Sequence, residues 1–295
     1  MNVWLPPRAA GSPLQRMGER NWILDQSARS HEWSGAGALS LKWFPRGEAR
    51  YLTEAGEFLV RDEALLILNA DEPYSVSVDG VDRAESFCIF FERGYVEDLW
   101  RAATTPLDQL LDRSISPAPH ALEWHSRTYE NNGALLPLLA HLRETVQAQA
   151  DVETLFMRLD AIAMAMVGLR EDVVSEIARV PAARAATRVE LHRRLHRARD
   201  FIRAHAYDDL PLAEIAGVAE LSPNHLLRTF QSLFGATPHQ YATNVRLRRA
   251  AELLRTTARP VVDICTEVGF SSVPSFTTLF KRHFGITPAA YRSAR

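Results

Sequence analysis

Asn224 and Arg228 stand four positions apart in a run with helical spacing, so an amide and a guanidinium project from one side of the same helix. Each carries its polar atoms in a planar fork. The amide matches N6 and N7 of adenine and the guanidinium matches O6 and N7 of guanine, edges that the major groove of a duplex exposes. His225, Thr229 and Gln231 are expected on the same outward side, with Leu226, Phe230, Leu233 or Phe234, and Leu227 in part, on the inner one. A second helix of the same kind is expected over 273–284, with Val273, Pro274, Thr277, Thr278, Lys281 and Arg282 outward and Phe276, Leu279 or Phe280, and Phe284 inward. Its chemistry is poorer. Threonine methyls and Val273 suit thymine methyls, while Lys281 and Arg282 suit phosphates, which orient a protein without reading sequence.

The elements that must hold these side chains are written twice. Phe230, Phe234, Gly235, Thr237, Pro238 and Tyr241 recur fifty positions later as Phe280, Phe284, Gly285, Thr287, Pro288 and Tyr291. In front of each copy lies a short apolar helix, Leu212 to Val218 and Val262 to Val268, then a turn and a serine, Ser222 or Ser272, placed to cap the outer helix. Pro223 and Pro238 suit first helical positions, where a missing N–H costs nothing. Between the copies, Pro238 to Thr256 predicts a long helix with Val245, Leu247, Ala250, Ala251 and Leu254 along it. A rigid spacer matters because two outer helices on one duplex face must lie roughly 34 Å apart to enter successive major grooves.

Charge agrees with that placement. The chain of 295 residues has a net charge of -2, but residues 188–295 carry 16 Lys+Arg against 9 Asp+Glu, a balance of +7, which leaves -9 for residues 1–187. Only the second part suits a polyanion. Cys88 and Cys265 each sit among apolar neighbours and read as buried thiols in a reducing compartment. No signal peptide or run of membrane-spanning length is visible, so a cytoplasmic protein without a membrane partner is expected.

Residues 1–38 hold few periodic signals and are broken by Pro6, Pro7, Pro13, Gly35 and Gly37. From Leu39 short apolar or alternating runs follow: Leu39–Phe44, Arg50–Thr53, Phe58–Val60, Ala64–Leu68, Tyr74–Val78 and Glu85–Phe91. Breaks are expected at Pro45 with Gly47, at Gly56, at Asp62 with Glu63, at Asp71 with Pro73 and at Asp79 with Gly80. A closed barrel or a two-sheet sandwich satisfies such a pattern. Helices are expected over Gly94–Ala103, Leu107–Leu111, Leu135–Gln149 and Val152–Leu169, with Ser114–Pro119 a loop. The apolar stripes of the last two helices fit packing on the sheet or against a second subunit equally well. Residues 172–188 read as a linker, and Leu191–His205 as an arginine-rich helix buried through Leu191, Leu195, Ala198 and Ile202.

Metal chemistry needs clustered imidazoles or carboxylates. His31, His120 and His125 lie outside the expected strands and form no close pair of ligands on one. Phosphate loops, nucleophile elbows and paired-cysteine motifs are lacking too, so no cofactor, metal or catalytic residue is expected.

Gly269-Phe270-Ser271-Ser272, then Phe276, Phe280-Lys281-Arg282-His283-Phe284-Gly285-Ile286-Thr287-Pro288 and Tyr291-Arg292, closely resemble the C-terminal signature of AraC/XylS-type transcription regulators, over about residues 190–293. The resemblance implies two helix-turn-helix units that bind adjacent major grooves of double-stranded DNA at a bacterial promoter, often together with RNA polymerase. Carried onto this chain, the base-reading positions are Asn224, Leu227 and Arg228 in the first unit and Val273, Pro274, Thr277 and Thr278 in the second. Leu227, Val273 and Pro274 depart from polar residues found in other members, which shifts the second helix toward phosphate contact or DNA bending. Ser222, His225, Ser272, Lys281 and Arg282 are the phosphate-contact candidates. Further forward, Leu65-Leu66-Ile67-Leu68-Asn69 and Glu72-Pro73-Tyr74-Ser75-Val76 resemble a cupin-type sensory barrel, and residues 133–170 its helices, although Glu72-Pro73-Tyr74 lacks the histidine common there.

The expectation is therefore an α+β two-domain protein. A cupin-like antiparallel β-barrel with accompanying helices (1–175) binds a small-molecule effector or pairs subunits into a homodimer, 176–189 link, and an all-α double helix-turn-helix (190–295) binds DNA. Effector candidates are Trp43, Arg46, Tyr51 and Tyr74. The competing expectations are a metal-dependent cupin-type enzyme with a helical attachment module, and an architectural DNA binder without sequence preference.

Overall fold

Side-chain alternation builds the N-terminal sheet. Along β3 (Ser40–Arg46), Ser40, Lys42 and Phe44 point to one face while Leu41 and Trp43 point to the other. The computed structural model describes residues 2–4, 20–61, 64–106, 122–130 and 133–294. It divides into two units, Met1–Glu176 and Ile177–Arg295.

In the first unit the other strands are β1 (Asn2–Trp4), β2 (Trp22–Ala36), β4 (Glu48–Thr53), β5 (Gly56–Arg61), β6 (Leu65–Leu68), β7 (Pro73–Phe90) and β8 (Thr128–Tyr129). All pairings are antiparallel, in the order β1-β2-β7-β3-β6-β8 with β4 joined to β5 and β7, and the sheet makes a nearly closed barrel. Phe44, Tyr51, Phe58, Val60, Leu66, Leu68, Tyr74 and Val78 pack into one buried cluster inside it. Leu41, Leu65, Ile67, Phe87 and Ile89, on the alternate face, are fully buried as well.

Among the described residues, the helices α1 (Tyr95–Thr104), α2 (Leu135–Gln147) and α3 (Val152–Ala178) accompany the sheet. Arg143 of α2 holds Asp25 of β2 at 3.1 Å and Glu85 of β7 at 2.7 Å. Tyr95 donates its hydroxyl to Asp160 of α3, and the Trp124 indole N–H donates to the Met166 carbonyl at 3.0 Å. The stripes Leu135, Leu139, Leu142, Val146 and Leu155, Leu159, Ile162, Met166 are buried within this one chain, so no second subunit is required to cover them.

Several expected boundaries change. The weakly patterned start contains β2, whose second half has mostly exposed residues and hence no apolar alternation to read. Asp79 and Gly80 lie inside β7, not in a turn, and β7 itself carries the irregularity: Ala28 pairs Ala84 and Ser30 pairs Asp79, so four residues of β7 stand opposite one of β2. Pro45 lies within β3, leaving Gly47, with φ +76°, as the break. The expected linker is helical at both ends, because α3 continues to Ala178 and the next helix, α4 (Ala185–Ala204), starts at Ala185. Leu107–Leu111, Ser114–Pro119 and Asp62 with Glu63 lie outside the described residues.

The second unit continues with α5 (Leu212–Val218), α6 (Pro223–Phe234), α7 (Pro238–Thr256), α8 (Val261–Glu267), α9 (Val273–Phe284) and α10 (Pro288–Ser293). Two apolar clusters form. Leu195, Ile202, Ile215, Leu226, Phe230 and Ala242 belong to the first, and Leu247, Leu254, Ile264, Cys265, Phe276 and Phe280 to the second. Helix α7 supplies both. Among the described residues no helix is long and apolar enough to cross a membrane.

Candidate nucleic-acid interface

Helix α6 starts sharply. The Ser222 hydroxyl accepts the His225 N–H at 3.4 Å, and Pro223 occupies the first turn. Asn224, Leu227, Arg228 and Gln231, spaced three or four apart, form its exposed ridge. Together with Ser232 they line an open concavity of about 410 Å³. Leu227 is 37% exposed, further outward than its expected partial place on the inner face. Thr229 moves the other way. It lies three positions beyond buried Leu226, is 2% exposed, and donates its hydroxyl to the His225 carbonyl at 2.7 Å. His225 is half-buried beside the cap.

Helix α9 has weaker chemistry. Ser272 occupies the cap position, but its side chain makes no capping hydrogen bond. Val273 is half-buried and packs against the second core, Thr277 is half-buried, and Pro274 and Thr278 are exposed. The Thr278 hydroxyl donates to the Pro274 carbonyl at 3.0 Å, which leaves its methyl outward. Lys281 and Arg282 are exposed in the last turn, and Ser275, not singled out from sequence, is exposed near the first. Partial burial, then the nearby Arg248, holds the His283 imidazole below its usual range, so it adds little positive charge.

The repeated signature positions both ridges. Gly235 (φ +70°) and Gly285 (φ +81°) end α6 and α9 in the left-handed conformation that glycine adopts without strain. Thr237 then caps α7 through a reciprocal bond with Gln240, and Thr287 caps α10 by accepting the Ala290 N–H at 3.3 Å. Phe230 meets Phe234 and Tyr241 at 4.5 and 5.8 Å; Phe280 meets Phe284 and Tyr291 at 4.6 and 5.4 Å.

The turns ahead of α6 and α9 differ in length. Leu221 N–H bonds the Ala216 carbonyl and Phe270 N–H bonds the Cys265 carbonyl, which makes Glu220 (φ +52°) and Gly269 (φ +81°) equivalent. Ser271 is the additional residue of the second turn. A Cβ at Gly269 would lie 2.7 Å from the Tyr207 carbonyl oxygen, so the glycine is required by space as well as by φ. Arg246, in the middle of α7, ties the pieces together. Its guanidinium donates to the carbonyls of Ala206 (2.5 Å), Asp208 (2.8 Å) and Gly269 (2.9 Å), joining the segment after α4 to the second turn.

Most arginines here serve the fold. Arg193 and Arg194 pair with Glu190, Arg197 with Glu220, Arg199 with Asp200, Arg249 with Glu252, and Arg259 with Glu267. Hydrogen bonds from Arg193 and Arg194 hold the Glu190 carboxyl down to about 2. Among the described residues Arg228, Lys281 and Arg282 have no acidic partner, so their charges face solvent unneutralised.

In the first unit the four effector candidates do not come together. Tyr51 and Tyr74 lie inside the barrel with ring centroids 5.9 Å apart. Trp43 is on the opposite face, edge-on to Phe87, and Arg46 is exposed beside Glu85. Lys42, one residue from Trp43, is the buried interior cation that sequence reading missed; its signal was the alternation Ser40, Lys42, Phe44. Of the histidines weighed as metal ligands, His31 is exposed on β2, His125 is half-buried in 122–130, and His120 lies outside the described residues.

Residues 215–294 match the family model described as "Helix-turn-helix domain". A probable transcriptional regulator, LumQ, of Photobacterium leiognathi is 33% identical over 93 residues, covering 32% of this chain and 38% of that protein. The right origin-binding protein of Escherichia coli K12 is 38% identical over 92 residues, 31% of this chain and 32% of its own length. A solved transcriptional regulator from Chromobacterium violaceum, described as AraC-type DNA-binding domain-containing, is 34% identical, with 34% of this chain and 89% of that one covered and a TM-score of 0.33. The chain spans about a third of the length of the curated relatives it matches, from 28% to 44%. The C-terminal unit, with its matched sequence and its two helix-turn-helix copies on one spacer helix, thus carries a helix-turn-helix domain similar to those of AraC-type regulators.

Proposed function

We propose that this protein is a sequence-specific transcription regulator that binds double-stranded DNA at bacterial promoters in the cytoplasm, and that its N-terminal barrel responds to a small molecule or pairs two copies of the chain. One observation carries the reading: Asn224, Leu227, Arg228 and Gln231 form an exposed ridge whose cation has no acidic partner among the described residues. Asn224 and Arg228 read adenine and guanine, and Leu227 packs on a thymine methyl. In the second unit Val273, Pro274, Thr277 and Thr278 supply apolar contacts. Ser222, His225, Ser272, Lys281 and Arg282 hold phosphates. Promoter activation or repression would proceed through contact with RNA polymerase or through competition with it.

Selection of bound sequences from a random duplex pool tests this. The expected outcome is an enriched site with two subsites about one helical turn apart, the first more strongly specified. A pool that stays unenriched ends the reading. Arg228→Ala should lose about 1–3 kcal/mol of discrimination at one base pair, as measured by competition between site variants.

A further inference from the structure

Lys42 is 2% exposed, and its ammonium points into the barrel. It donates to the Tyr74 hydroxyl at 3.4 Å and sits over the Phe90 ring, 3.7 Å from the centroid. Among the described residues no carboxylate lies within ion-pair distance of it. The acidic groups that face it are Cys88, opposite it in the strand register, and Tyr74, with Tyr51 hydrogen-bonded to Cys88 behind them. Burial pushes all three up, so at neutral pH none carries the missing negative charge. Ser40, two residues before Lys42 on the same face, is fully buried, and its hydroxyl has no hydrogen-bond partner among the described residues. An ammonium enclosed without a counter-charge is costly, and an unmet hydroxyl adds to that cost.

We propose that the barrel interior binds a small organic monoanion, a carboxylate with an apolar body, whose charge pairs with Lys42; this rests on the reading of the barrel as a sensing unit. The carboxylate accepts from the Lys42 ammonium and from the Ser40 and Tyr74 hydroxyls, and its body lies against the aromatic walls. A neutral sugar supplies no counter-charge, and a phosphate dianion brings more than one ammonium offers. The Phe90 face now covers the ammonium, with Trp22 of β2 stacked on it at 4.7 Å. An entering carboxylate exchanges a cation–π contact for a direct ion pair and displaces Phe90, which passes the change to Trp22.

All six tryptophans lie at or before position 124, so fluorescence of the full chain reports on the barrel unit. The probes are hexanoate and benzoate, with hexanamide and benzamide as neutral counterparts. At about 10 mM each acid should raise the fluorescence melting midpoint by about 2–4 °C, and the amides should not. Lys42→Met should remove the shift, and Ser40→Ala should weaken carboxylate affinity about fivefold. Equal response to acid and amide, no response to either acid, or a shift that survives in Lys42→Met overturns the proposal. Should Lys42→Met not fold, the acid–amide comparison and Ser40→Ala decide it. Duplex selection is read separately: a chain that enriches a DNA site yet ignores both acids loses the anion site and keeps its DNA-reading function.

Discussion

Lys42 and Gly269 show how much one position can carry. Burial lowers the Lys42 ammonium from 10.5 to about 8, so the folded barrel holds that proton less tightly than the unfolded chain. Below about pH 8 both states are protonated and the full cost of the buried charge is present. Above it the unfolded chain binds more protons, and stability rises by about 1 kcal/mol between pH 8 and 9. From pH 9 upward Cys88 opposes this, because its thiol is pushed up by burial and stays protonated in the folded state. Denaturant titrations followed by tryptophan fluorescence should show the rise in wild type and not in Lys42→Met. Gly269→Ala should lose about 1–3 kcal/mol, since it forces a Cβ onto the Tyr207 carbonyl at positive φ; an unchanged melting midpoint would refute that. Neither residue was evident from sequence. Lysine is usually solvated, and Gly269 looked like an ordinary turn glycine because its neighbour Tyr207 lies 62 positions earlier.

At the scale of elements, helix limits were legible wherever local chemistry sets them. Thr237, Pro238 and Gln240 mark the start of α7, and the structure begins it there. Strand limits in the first unit were not, because β7 runs through an Asp-Gly pair as a bulge, with four of its residues opposite one of β2, instead of turning there. The two serine caps also looked alike, yet only Ser222 makes the bond. Thr237→Ala should therefore cost about 1 kcal/mol, whereas Ser272→Ala should change stability by less than about 0.5 kcal/mol, both measured by chemical denaturation of the C-terminal unit. Arg246→Met leaves three carbonyls without their donor. It should lower affinity for a two-subsite duplex more than for a single subsite, because it loosens the turn that seats the second ridge. Equal losses on both duplexes would show that Arg246 acts only on folding.

For the molecule as a whole, the charge division is legible in the amino-acid sequence, with +7 in residues 188–295 and -9 in front. Its consequence is salt dependence. Log affinity should fall steeply with log salt for the wild type, and Lys281→Ala or Arg282→Ala should each reduce that slope by about 1 while leaving the preferred sequence unchanged. What the sequence left hidden is which positive charges are already neutralised. Arg193, Arg194, Arg199 and Arg249 pair with acids one to four positions away, whereas the pairs Arg197–Glu220 and Arg259–Glu267 join different elements and are set by tertiary packing.

One spacer helix filling two cores also limits how the protein can change. A single residue inserted in the middle of α7 would rotate its second half by about 100° and advance it by about 1.5 Å, swinging Leu247, Ala250 and Leu254 off their cluster. Drift in the distance between DNA subsites could not be followed by lengthening this helix. Regulated promoters would have to keep that distance fixed, or absorb the mismatch by bending the duplex.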